Sequence, residues 1–119
     1  MSREPATLAG LRVALRRFAA ARDWEQFHTP KNLAMALAVE AAELLEQFQW
    51  LTPAQSERLD ARQKRAVEDE IADVLLYLTR LADVLDIEPV AAARRKIRSN
   101  ARKYPVARAK GHARKYNAL

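Results

Sequence analysis

Between Ala61 and Leu85, the apolar residues Val67, Ile71, Val74, Leu78, Leu81 and Leu85 recur at alternating spacings of four and three. This spacing draws one apolar stripe along an α-helix and matches the seam of a helix bundle, not the two-residue alternation of a strand. A long helix with one such face must bury it against other helices, and the rest of the chain supplies them. Leu8, Leu11, Leu15 and Phe18 mark a helix from about Thr7 to Ala21. Leu33, Leu37, Leu44 and Phe48 mark another from about Lys31 to Gln47. Thr52, Pro53 and Gln55 read as N-cap, first helical residue and capping-box partner of a short helix that ends near Leu59. Glu88-Pro89 opens a further long helix, which Tyr104-Pro105 stops after Lys103, because a residue before proline disfavours the helical region. The expected fold is all-α, a four-helix bundle. One helical domain would span residues 1–105, and a basic C-terminal tail would span 106–119, loosely ordered or docked on another subunit.

Composition narrows the chemistry. Glycine occurs only at Gly10 and Gly111, so neither a phosphate-cradling glycine loop nor a dinucleotide fingerprint can be built. Cysteine is absent, which removes disulfides, zinc–thiolate sites and thiol nucleophiles. No signal-peptide pattern opens the sequence, and no apolar run reaches the roughly 18 residues of a membrane helix. A soluble, cytoplasmic protein with no membrane partner is expected. The formal charge of +6 is unevenly distributed. Residues 1–93 carry eleven Lys/Arg against fifteen Asp/Glu, whereas 94–119 carry ten Lys/Arg and no acid. Such a basic end suits nucleic acid, a polyanionic small ligand or an acidic partner surface.

Four carboxylates stand where a core should be. At about 100° per residue, and with Glu40 at 0°, Leu33, Leu44 and Leu37 fall near 20°, 40° and 60°. Glu40 therefore shares the direction of the leucines, and Glu43 lies one turn on at the edge of the stripe. The helix over 61–85 repeats the device: Glu70 and Asp73 flank its seam, with Tyr77 on the same edge. An ionised carboxylate beside apolar side chains is costly without a partner, and four close together cannot all ionise without a cation. Hard oxygen ligands select magnesium or manganese. A di-iron site would pair each acid with a histidine three residues on, and neither His28 nor His112 is so placed. Solvated helix acids that happen to fall three apart are the plain alternative.

Around these residues the sequence resembles the MazG-like all-α nucleoside triphosphate pyrophosphohydrolases. It is carried by EAAELLEQFQWL (40–51) and EIADVLLYL (70–78). More narrowly, RDWEQFHTPKNLAMAL (22–37), FQW (48–50), SNARKYP (99–105) and RKY (114–116) look like the dCTP pyrophosphatase branch. The resemblance implies a bundle assembled as a dimer or as a tetramer of two dimers. It also implies Mg²⁺-dependent hydrolysis of a nucleoside triphosphate substrate to the monophosphate and pyrophosphate, with Mn²⁺ as a substitute. Glu40, Glu43, Glu70 and Asp73 match the metal ligands. Trp24, Glu25, Gln26, Phe27, His28, Trp50 and Tyr77 match positions that hold the nucleotide, and Asn100 and Tyr104 match a motif near phosphates and sugar. Leu15 stands where some relatives carry a histidine, which leaves the preferred base open.

The residues themselves agree with that reading. Trp24, Phe27, Trp50 and Tyr77 offer flat faces for a base, with core or interface packing as the alternative; Phe48, on the apolar stripe, reads as core. His28 can meet base or phosphate, or cap the next helix. Lys96, Asn100 and Lys103 share a helix face suited to phosphates, while Arg94 and Arg95 read as solvated. Glu46, one turn past Glu43, is either a proton acceptor or a surface acid. The competing function is a non-catalytic helical module that binds nucleic acid through the basic end. The inward acids argue against nucleic acid as the partner, because such a module has no use for them. A toxin–antitoxin or stress-regulation partner derived from such an enzyme is a third reading.

Overall fold

The computed structural model describes residues 4–119, all of which are helix, turn or irregular, with no strand among them. Four long helices carry the architecture: α1 (Leu8–Ala21), α2 (Pro30–Glu46), α4 (Ala61–Val84) and α5 (Pro89–Lys103). Two single-turn helices, α3 (Pro53–Ser56) and α6 (Val106–Ala109), punctuate the chain. The expected all-α class is observed, with the ends of the four long helices within a residue of those read from sequence, while the short helix stops at Ser56, three residues before Leu59.

The helix starts are written into side chains. Thr7 Oγ1 accepts from Gly10 N at 3.0 Å, and Thr29 Oγ1 accepts from Asn32 N at 3.1 Å just before Pro30. Thr52 and Gln55 form the expected capping box, each side chain meeting the other's backbone N–H. Asp60 and Gln63 form a second box at the start of α4. The acidic side chain of Glu88 caps α5 ahead of Pro89. Two helices end on an aspartate in left-handed backbone: Asp23 follows α1 with φ 53°, and Asp86 follows α4 with φ 54°. Asp is among the few non-glycine residues that enter this region at modest cost.

The chain divides into two compact units, residues 1–86 and 87–119. In the first unit α4 is central and packs against both α1 and α2. Its interior is small: among the described residues Ala19, Leu33, Val67 and Ala82 are the buried apolar ones, and of these Leu33 is the large side chain that is fully enclosed. Ile71, Leu78 and Leu85 of the α4 seam are 52%, 45% and 47% exposed, and Met35, Val39 and Leu45 of α2 are also open. A single chain therefore covers only part of the seam.

The second unit holds α5, α6 and a closing 3₁₀ turn, Tyr116–Ala118. The segment after Pro105 returns to the end of α5. Tyr116 meets Tyr104 edge-on at 6.1 Å, and the Lys103 ammonium lies 4.9 Å from the Tyr116 ring centre. No helix of the described residues is long and apolar enough to cross a membrane.

Candidate active site

Packing α2 against α4 brings the two acidic pairs together. Glu40, Glu43, Glu70 and Asp73 each offer a carboxylate oxygen within 4.8 Å of the others. The first three are half-buried. Glu40 Oε2 and Glu70 Oε2 are shut from solvent and have no hydrogen-bond partner. Burial pushes the Glu40 carboxyl up to about 7, aided by the hydrogen bond and charge of Glu43 and by the charges of Asp73 and Glu70. Burial also raises Glu70, again helped by Glu43. The group thus lacks positive charge, and its two orphaned oxygens mark where a cation would be stabilised. The donors are all oxygen, which suits a hard divalent ion. Glu46 is exposed at the end of α2 and stands outside the cluster.

A cavity of about 190 Å³ opens beside the cluster. Leu15, Phe18 and Ala19 of α1 form one wall, Trp24 and His28 come from the α1–α2 connection, and Asp73, Leu76, Tyr77 and Arg80 come from α4. Asp73 belongs to both cavity and cluster. A cavity of about 150 Å³ is enough for a benzene ring, so a single flat heterocycle fits this space. The aromatic wall is preset: Trp24 meets Phe18 edge-on at 5.7 Å and His28 at 6.4 Å. The Arg22 guanidinium covers Phe18 from 3.5 Å.

The structure sorts the nucleotide-binding candidates read from sequence. Trp24, His28 and Tyr77 line the cavity. Glu25, Gln26 and Phe27 form a 3₁₀ turn between them and are exposed, with the Gln26 amide donating to Asp23. Trp50, in the turn after α2, is 86% exposed and is not part of the cavity wall. Lys96, Asn100, Lys103 and Tyr104 belong to the second unit, on α5 and its C-cap. Leu15, the departure noted in the sequence, contributes apolar wall.

One group escaped the sequence reading. Arg80 is 7% exposed, yet charged. Its Nε donates to His28 Nδ1 at 3.0 Å, and its Nη1 donates to Asp83 Oδ2 at 3.1 Å. Arg16 grips the same Asp83 carboxylate with two donors, at 2.6 and 3.1 Å, and holds its pKa below the usual range. The signal available in sequence was the i, i+3 pair Arg80/Asp83 on the apolar side of α4, which resembles an ordinary surface ion pair.

Residues 35–119 match the sequence model of the MazG-like family. The chain belongs to the MazG-like family. Among MazG-like and related proteins, human (Homo sapiens) dCTP pyrophosphatase 1 is 42% identical over 99% of this chain and 70% of its own length. The mouse (Mus musculus) protein of the same name is 40% identical over the same shares. A pyrophosphatase from Archaeoglobus fulgidus, solved by crystallography, superposes with a TM-score of 0.79 at 44% identity, covering 88% of this chain and 98% of its own. The MazG-like resemblance carried by the two acidic motifs is thereby borne out, as is its narrower likeness to dCTP pyrophosphatases.

Proposed function

We propose that this protein is a divalent-metal-dependent nucleoside triphosphate pyrophosphohydrolase, acting on dCTP or a related, including modified, pyrimidine deoxynucleotide. It would release the monophosphate and pyrophosphate as part of nucleotide-pool housecleaning. The observation that carries this reading is the four-carboxylate cluster with two orphaned oxygens, set against an aromatic cavity of base size. The relatives named dCTP pyrophosphatase 1 support the substrate class.

Glu40, Glu43, Glu70 and Asp73 would hold Mg²⁺, with Mn²⁺ as a substitute. Bound there, the metal would offset the triphosphate's charge, activate water and steady the departing pyrophosphate. Trp24 and Tyr77 stack on the base, a contact worth about 1–3 kcal/mol per base. Leu15 and Phe18 keep water from its far edge. Glu25, Gln26, Phe27 and Trp50 serve as outer nucleotide contacts, and Lys96, Asn100, Lys103 and Tyr104 of the second unit supply groups of the kind that suit phosphates and sugar. The open apolar faces of α2 and α4 support a homo-oligomer, a dimer or a tetramer. A nucleotide-pool enzyme works where that pool is, in the cytoplasm.

The test is a panel of canonical and modified nucleoside triphosphates with magnesium, assayed for pyrophosphate. Wild type turns over a pyrimidine deoxynucleotide. Glu43→Gln and Asp73→Asn lose at least a hundredfold in kcat while keeping the helical circular dichroism of wild type. Full activity in either variant would overturn the ligand assignment. No turnover across the panel, with tight, salt-sensitive nucleic-acid binding instead, would favour a binding module.

A further inference from the structure

His28 is in a chemically determined state. A guanidinium has donors only, so the 3.0 Å contact from Arg80 Nε requires a lone pair on His28 Nδ1. The ring proton must then sit on Nε2. Protonating Nδ1 as well would set an N–H against a buried arginine donor. Consistent with that, burial lowers the His28 pKa first, the Arg80 charge lowers it further, and only Glu25 pulls the other way. Arg80 is itself locked: its side chain is 8% exposed, and its other contact is Asp83, whose carboxylate Arg16 also holds. The line Arg16–Asp83–Arg80–His28 joins α1, α4 and the α1–α2 connection and ends on the cavity wall. His28 Nε2–H has no hydrogen-bond partner among the described residues.

We infer that Arg80 is a positioning residue that holds His28 as its neutral Nε2–H tautomer, so that the cavity presents one fixed donor to a lone-pair acceptor, O2 or N3, on the edge of a cytosine base. This rests on the pyrophosphohydrolase reading for the identity of the occupant, but the tautomer does not. A fixed donor in an aromatic-walled cavity recognises an acceptor better than a rotating or charged one, since no order has to be imposed on binding.

The experiment has two arms on the full-length chain. Long-range ¹H–¹⁵N correlation of the ¹⁵N-labelled protein at pH 7.5 reads each histidine's tautomer, and His112→Gln assigns the two rings. The expected spectrum shows His28 with Nδ1 bare and Nε2 protonated, and Arg80→Met converts it to a tautomer mixture. In the second arm, steady-state kinetics with dCTP and magnesium follow Arg80→Met, His28→Phe and the double variant. Each single variant should raise KM about three- to tenfold with a smaller change in kcat, the span of one ordinary hydrogen bond. The double variant should add nothing further, because Arg80 acts through His28. A wild-type His28 protonated on Nδ1, an unchanged KM in His28→Phe, or additive effects in the double variant would each overturn the inference. If Arg80→Met fails to fold, the wild-type spectrum and His28→Phe still decide it. Absence of turnover by wild type on every nucleotide would instead sink the functional reading, and the spectrum would still report the tautomer.

Discussion

Glu40 is the residue on which most of the site's physics turns. Its carboxyl, pushed up to about 7 by burial and by Glu43, binds a proton in the folded chain that it would release at an ordinary pKa when unfolded. The folded state therefore gains from Glu40 at low pH and loses that gain as pH rises through about 7. The lowered His28 pKa acts in the opposite sense, favouring the folded state as pH rises. Comparison with Glu40→Gln isolates the carboxylate: in metal-free melts from pH 5 to 8, the Tm of wild type should fall relative to that of the variant. Magnesium should raise the wild-type Tm most at the alkaline end and leave Glu40→Gln nearly unmoved. A wild-type Tm that rose with pH relative to Glu40→Gln would contradict the assigned shift. Helical angles singled out Glu40, because a charge on a leucine stripe breaks a simple pattern, but they left solvated surface acids as an equal reading of the two pairs, and the resemblance of the surrounding motifs tipped the balance. The Arg80–His28 contact was not visible that way. Its partners lie 52 residues apart, and only the packing of α1 and α4 around the connection brings them together.

At the level of helices, caps and one leucine divide the labour. The capping boxes at Thr52/Gln55 and Asp60/Gln63 fix where α3 and α4 begin and so set the register that places Glu70 and Asp73. Asp60→Ala should cost about 1 kcal/mol, as N-cap losses do. Leu33→Ala, at the one large side chain fully enclosed among the described residues, should cost about 2–5 kcal/mol. Chemical denaturation measures both, and equal costs would mean that α2 is not anchored as described. Helix identity and ends were readable because Thr, Asp, Pro and an apolar period of 3.6 all encode local geometry. Trp24 and Trp50 look alike in sequence, each an aromatic near a segment end. Only the three-dimensional course of the chain separates the cavity-lining Trp24 from the exposed Trp50.

Taken whole, one chain leaves much apolar surface open: Met35, Val39 and Leu45 on α2, and Ile71, Leu75 and Leu78 on α4. Exposed apolar side chains in this number suit association with a second copy of the chain. Light scattering of the purified protein should therefore give more than one chain per particle. Leu45→Glu or Ile71→Lys should shift the mass toward that of a single chain and lower the Tm. A monomer at micromolar concentration would overturn that expectation. Even the four- and three-residue spacing of the α4 seam becomes intelligible in this light, because only part of that stripe faces the chain's own helices.

The carboxylate cluster has one further consequence, which concerns stoichiometry. With its pKa pushed up to about 7, Glu40 is protonated in a good part of the molecules near neutrality, and a cation arriving among the four oxygens must displace that proton where it is present. Loading is then an exchange in which acid leaves as metal enters. The apparent affinity for magnesium would tighten as the medium becomes more alkaline and weaken as it acidifies, so the fraction of protein charged with metal would depend on the acidity of its surroundings as much as on the supply of the ion.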